Sequence, residues 1–132
     1  MSNMQSVVIT PGAASRNTLY LNVFSFFAQD AQEVKVSCSQ IGYEGSFVKE
    51  AGSENNIRFG EASIDISQHK TRELTFEVEI NHNNGEPSKV NAPIYCEAGG
   101  HLHVSVDSED GTDNDFDDAV VFFDLFTPVS AG

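Results

Sequence analysis

The chain predicts an all-β fold, an antiparallel β-sandwich, on three observations. Leu74, Phe76, Val78 and Ile80 alternate with Glu73, Thr75, Glu77 and Glu79, the period of two that marks a strand with one dry face and one wet one. Elsewhere, short β-branched and aromatic runs are divided by clusters of Gly, Pro and Asn. No segment sustains a helical period, and many short strands between turns are the pattern of a sandwich.

The elements follow in order. Gln5 to Thr10 is a β-branched run that stops at the turn pair Pro11-Gly12. Thr18 to Ala28 is apolar on nearly both faces, which suits a central strand. After a polar connection from Gln29 to Gln32, Val34, Val36 and Cys38 alternate with Lys35 and Ser37. Gly42, Gly45, Gly52 and Gly60 divide the middle into short strand-like pieces around Phe47-Val48 and Ile57-Arg58-Phe59, and Ala62, Ile64 and Ile66 alternate again. The strand through Ile80 ends at Asn81-His82-Asn83-Asn84-Gly85, a turn-forming cluster. Ile94 and Cys96 share a face, Gly99-Gly100 turns the chain, and Leu102, Val104 and Val106 point inward. Ala119 to Phe126 is apolar on both faces apart from Asp124, so its second face is expected to meet another sheet or another protomer.

Length and composition set the bounds. A chain of 132 residues with 39% hydrophobic residues and ten Phe fits one domain over residues 1–132 with one core. Two cysteines, Cys38 and Cys96, both fall in strand-like runs and read as buried free thiols rather than a disulfide. No apolar run is long enough to span a membrane. The first six residues have neither a basic region nor an apolar stretch, so no secretory signal is visible; cytoplasmic residence and signal-independent export to the cell surface or exterior both fit.

The net charge of -13 excludes phosphate-led nucleic-acid binding, which needs clustered Lys and Arg. The charge is also uneven: residues 1–89 hold eleven acids and seven bases, residues 90–132 nine acids and no base. Anionic membranes are therefore poor partners, and cations should collect on the C-terminal third.

That third contains the chemically informative stretch. Residues 107–118 carry seven carboxylates among twelve residues and no Lys or Arg, between two strand-like runs. Like charges about 4 Å apart repel by roughly 1 kcal/mol in water and several times more where water is excluded. A hard divalent cation, which prefers carboxylate and carbonyl oxygens, would relieve the repulsion. One such ion leaves the stretch strongly negative, so more than one is expected. The EF-hand pattern does not fit: counted from Asp107, Gly111 falls at position 5 rather than 6, and the flanks are strands. In an extended chain Asp113, Asp115 and Asp117 would lie about 6.6 Å apart, too far for shared bonds of roughly 2.4 Å. The loop must curl, which Gly111 and Asn114 permit. Residue content alone leaves three readings open: a solvated acidic loop, a structural calcium site, and a site with open coordination for a ligand.

The run from Ser108 to Val121 resembles the signature of the small bacterial calcium-dependent fucose- and mannose-binding lectins of the LecB (PA-IIL) type, with two changes, at Phe116 and Asp117. Asn84-Gly85-Glu86-Pro87-Ser88 is a second, weaker match. The resemblance implies a jelly-roll-like lectin sandwich with two Ca2+ ions per chain, bridged by hydroxyls of a fucose- or mannose-type sugar, and a homo-oligomer, dimeric or larger. It assigns Glu109, Asp113, Asp115, Asp117 and Asp118 as metal ligands, with the backbone carbonyl of Gln29 and, toward a neighbouring subunit, the terminal carboxylate of Gly132. Around the sugar it places Asp110 as hydrogen-bond acceptor, with Glu109, Asp113, Asp118, Asp30 and Ala31. The alternative is a calcium-stabilised structural or adhesive sandwich with no sugar site.

Other constellations are thinner. His101 and His103 share one strand face at a spacing zinc sites use, with no third ligand assignable from sequence. His69 and His82 read as surface residues in turns. No nucleophile motif or phosphate-binding Gly loop is present. The acids crowd one loop, which suits ion ligation better than a glycosidase pair, and the protein is expected not to be an enzyme.

Overall fold

The structure is a computed structural model that describes residues 2–26, 30–52, 56–109 and 118–128. The strands are β1 (Met4–Ile9), β2 (Thr18–Phe26), β3 (Gln32–Cys38), β4 (Tyr43–Lys49), β5 (Asn56–Asp65), β6 (Leu74–His82), β7 (Glu86–Pro87), β8 (Lys89–Val90), β9 (Ile94–Ala98), β10 (His101–Glu109) and β11 (Ala119–Phe126), with a 3-10 turn at Ser39–Ile41. They form two antiparallel sheets. The first runs β1-β6-β3-β4 with β7 added to β6; the second runs β5-β2-β11-β10-β8 with β9 also on β10. This is the β-sandwich the alternation predicted.

Inward residues of both sheets fill one core. Val7, Val34, Val36, Leu74, Phe76, Val78 and Ile80 from the first sheet face Leu19, Leu21, Val23, Val104, Val106, Val121 and Phe123 from the second, all fully buried. Alternation is therefore the main determinant of the fold: shifting any of these strands by one residue would exchange its dry face for its wet one. At the turn before β10, Gly99 and Gly100 have φ of 59° and 81°, between the paired Ala98 and His101. A two-residue hairpin with both central residues left-handed favours glycine for this reason.

The middle of the chain departs from the expected fragments. Ile57-Arg58-Phe59 and Ala62 onward are one strand, β5, paired along its length with β2. Its register shifts between Val23 and Phe24, whose partners are Gly60 and Arg58, so Phe59 is the extra residue of a bulge. A Cβ on Gly60 would lie 2.4 Å from Phe47 Cδ1 and 2.9 Å from Phe47 Cβ. Gly60 is thus where β5 comes up against β4 of the other sheet, and no side chain fits without moving Phe47. Gly60→Ala is expected to lower stability by about 1 to 3 kcal/mol, the usual cost of overpacking, read as a lower urea midpoint at unchanged slope.

Two further expectations are corrected. β6 does not stop at Ile80: it continues to His82, because Gln32 pairs with His82 on one side and Glu86 on the other. His82 is accordingly a strand residue with its side chain only 10% exposed, its Nδ1 2.9 Å from Ser88 Oγ. His69 does lie in a turn, half-buried. The cysteines are both free, but only Cys38 is buried; Cys96 is exposed. The reason is the position of β9, an edge strand with all five residues exposed, where alternation no longer separates core from solvent.

Candidate functional site

The acidic stretch leaves β10 at Glu109 and re-enters the sheet at Asp118. The β10–β11 ladder ends with Asp107 against Val120 and Ser108 against Ala119, and Glu109 and Asp118 are the residues just beyond it. The junction is tied three times: Asp118 N–H donates to Ser108 O (3.1 Å), Ser108 Oγ donates to Ala119 O (2.7 Å), and Ala119 N–H donates to Ser108 Oγ (3.2 Å). From β2, Ser25 Oγ donates to Asp118 O at 2.5 Å. Both ends of the stretch are therefore fixed to the central strands of the second sheet.

Burial distinguishes these two acids. Counted from the inward Val106 and Val121, Glu109 and Asp118 have the outward parity, yet they are only 1% and 5% exposed. Carboxylates are seldom this buried unless paired with a cation or bound to a metal, because the charge loses its hydration. Carboxylates gathered at one end of a strand pair repel as well. A donor set of buried carboxylates, with further carboxylates in the intervening sequence, is the chemistry a hard cation requires. The residues present fit calcium.

The other expected site segments gather at the same end of the sandwich. β2 ends next to Asp118, to which Ser25 is bonded, and Asp30 and Ala31 immediately precede β3. Asn83 N–H donates to Ala31 O at 3.1 Å, which joins this segment to the turn Asn83-Asn84-Gly85, where all three residues have positive φ. A hollow of about 360 Å³ opens there, lined by Ala31, Gln32, His82 and the turn. The chain then runs through β7 into β8, where Lys89 pairs with Glu109 and Val90 with Ser108. The two stretches singled out in the sequence, residues 84–88 and the acidic one, thus meet through β8. A wider hollow of about 520 Å³ lies on the outer face of the first sheet beside Lys35, Glu44 and Glu77. It is remote from these carboxylates and takes no part in the site.

Gln29, Asp110, Asp113, Asp115, Asp117 and Gly132 lie outside the described residues. Of the expected site residues, the structure brings together Glu109 and Asp118 directly, and Asp30 and Ala31 at the same end. Residues with no distinguishing signal in the sequence complete the surroundings. Lys49, only 3% exposed, donates from Nζ to Asp30 O at 3.2 Å, which fixes the Asp30 backbone; Ser25 and Ser108 fix Asp118 and Ala119. A Lys at the end of a strand-like run carries no sequence signal of burial.

A two-sheet antiparallel sandwich with buried carboxylates at one end is the architecture the resemblance to the lectins implied. The chain belongs to the family Fucose-binding lectin II (PA-IIL), whose profile matches residues 7–127. The family is one of carbohydrate-binding lectins, not enzymes. Among curated proteins no sequence matches the chain. Solved structures share its fold. A Ralstonia solanacearum high-affinity mannose-binding lectin matches with a TM-score of 0.67 at 20% identity, over 93% of this chain and 96% of that one. The Chromobacterium violaceum lectin CV2L, solved with alpha-methyl-fucoside, matches with a TM-score of 0.67 at 20% identity, over 98% and 99%. The C-terminal domain of the BC2L-C lectin from Burkholderia cenocepacia gives 0.64 at 18% identity, over 88% and 99%.

Proposed function

We propose that this protein is a calcium-dependent lectin that binds fucose- or mannose-type monosaccharides through two Ca2+ ions per chain. The observation that carries the reading is the burial of Glu109 and Asp118, two acids just beyond the end of the β10–β11 ladder. With Asp113, Asp115 and Asp117 from the intervening stretch they would hold the ions, the Gln29 carbonyl and the Gly132 carboxylate adding oxygens. Bound calcium would supply open coordination positions that vicinal sugar hydroxyls take in place of water.

The protein's own residues then orient the sugar. Asp110 accepts hydrogen bonds from the coordinated hydroxyls, a charge-assisted contact stronger than a neutral one. Asp30 and Ala31 border the sugar, and their backbone, held by Lys49 and Asn83, supplies a fixed wall on which selectivity depends. The reading includes a homo-oligomer, as the family resemblance implies.

Glycan-array binding measured with calcium and again after chelation tests the reading. Fucosides or mannosides are expected to bind in the first condition only. Lack of sugar binding in both, with chelation lowering the melting temperature, would instead identify a calcium-stabilised structural sandwich.

A further inference from the structure

On the outer face of the second sheet, away from the acidic stretch, the register places Asp124 of β11 directly across from His103 of β10. We propose that His101, His103 and Asp124 form a second metal site, selective for a zinc-class transition ion and independent of the calcium and sugar reading. Asp124 supplies the third ligand that sequence spacing could not.

The three side chains converge on one point. His101 Nε2–H donates to Asp124 Oδ1 at 2.7 Å and His103 Nδ1–H donates to the same oxygen at 2.6 Å. One ligand atom from each residue lies within 4.8 Å of the other two. Metal bonds of about 2.0 to 2.2 Å in a tetrahedral arrangement separate ligand atoms by roughly 3.4 Å. Each nitrogen would therefore draw back from Asp124 by about 0.7 Å to admit an ion bonded at those lengths. The ring protons now occupy the space the ion would take; a neutral imidazole moves its proton to the other nitrogen and presents a lone pair instead.

The rings are held in place for this. His101 stacks on Phe126 at a centroid distance of 4.5 Å and an interplanar angle of 14°, and His103 lies 5.0 Å from Phe122. Ligands fixed by aromatic packing lose little freedom on binding. Access is open, with side-chain exposures of 41%, 37% and 19% for His101, His103 and Asp124. Two imidazoles and one carboxylate suit zinc rather than calcium, which wants oxygens throughout. Cys96 on β9 is the Cα partner of His103, which places a thiol on the strand beside the two histidines. His103 is six residues along β10 from Glu109, roughly 20 Å, so the site does not share ligands with the acidic end.

The test is calorimetric titration of Zn2+ into the full chain with calcium in millimolar excess, so that the carboxylate-rich end is filled. About one zinc per chain is expected, at micromolar or tighter Kd, weakened roughly tenfold or more in Asp124→Asn and in His103→Ala, since even changes to groups behind the ligands cost tenfold. Unchanged zinc affinity in both variants, or no zinc binding, overturns the proposal. Should a variant fail to fold, NMR of the histidine ring signals in the unaltered protein decides: zinc should shift His101 and His103 and leave His69 and His82 in place. Shifts confined to His69 or His82 would overturn it equally.

Discussion

Glu109→Gln is expected to remove both calcium-dependent stabilisation and sugar binding. Glu109 is 1% exposed at the last position of β10, and an acid-rich stretch separates it in sequence from the buried Asp118. Gln keeps the shape but cannot supply a charged oxygen ligand, and calcium affinity depends on the charge of the ligand set. An ion present at 100 times its Kd stabilises the unaltered protein by about 2.7 kcal/mol. For a chain of this size that is roughly a 10 °C rise in melting temperature. In Glu109→Gln most of that rise should disappear. Scanning calorimetry with calcium and with chelator reads the loss. A variant with the full calcium-dependent rise would remove Glu109 from the ligand set.

Phe76→Ala is expected to cost about 3 to 5 kcal/mol, the range for truncating a buried Phe. Phe76 in β6 and Phe123 in β11 are both fully buried, with ring centroids 5.4 Å apart and planes at 59°. The pair joins the two sheets near the middle of the core, and tilted aromatic contacts add about 0.5 to 1.5 kcal/mol beyond area burial. The loss is a large share of a total stability of about 5 to 15 kcal/mol. Val48→Ala, at a side chain 58% exposed, should change stability by no more than about 0.5 kcal/mol. Urea unfolding of the two variants compares core with surface directly; similar midpoints would contradict the assigned packing.

How much of this was legible in the sequence depended on the range of the physics involved. Alternation is local, so β6, β3 and the inward face of β10 were readable, and the residues expected inside are inside. The acidic stretch stood out too, since seven carboxylates without a base are visible in the sequence, although residue content alone left its chemistry open. Contacts between distant strands were not. Asp124 looked like an isolated acid in an apolar run, and only the β10–β11 register shows it lying against two histidines. His82 read as part of a turn because Asn and Gly surround it, while pairing on both sides extends the strand through it. Gly60 read as a break between strands, whereas the approach of Phe47 makes it a bulge within one. Lys49 was invisible for the same reason: its burial depends on the segment at Asp30, nineteen positions away.

The most direct test of calcium-mediated sugar binding is calorimetry on protein stripped with chelator and then refilled. Stripped protein should give no heat with methyl α-fucoside or methyl α-mannoside. Calcium should then titrate to about two ions per chain, as expected of shared-carboxylate loops, and the same sugars should bind once the ions are in place. Sugar binding by the stripped protein, or saturation at one ion with full sugar affinity, would contradict the account.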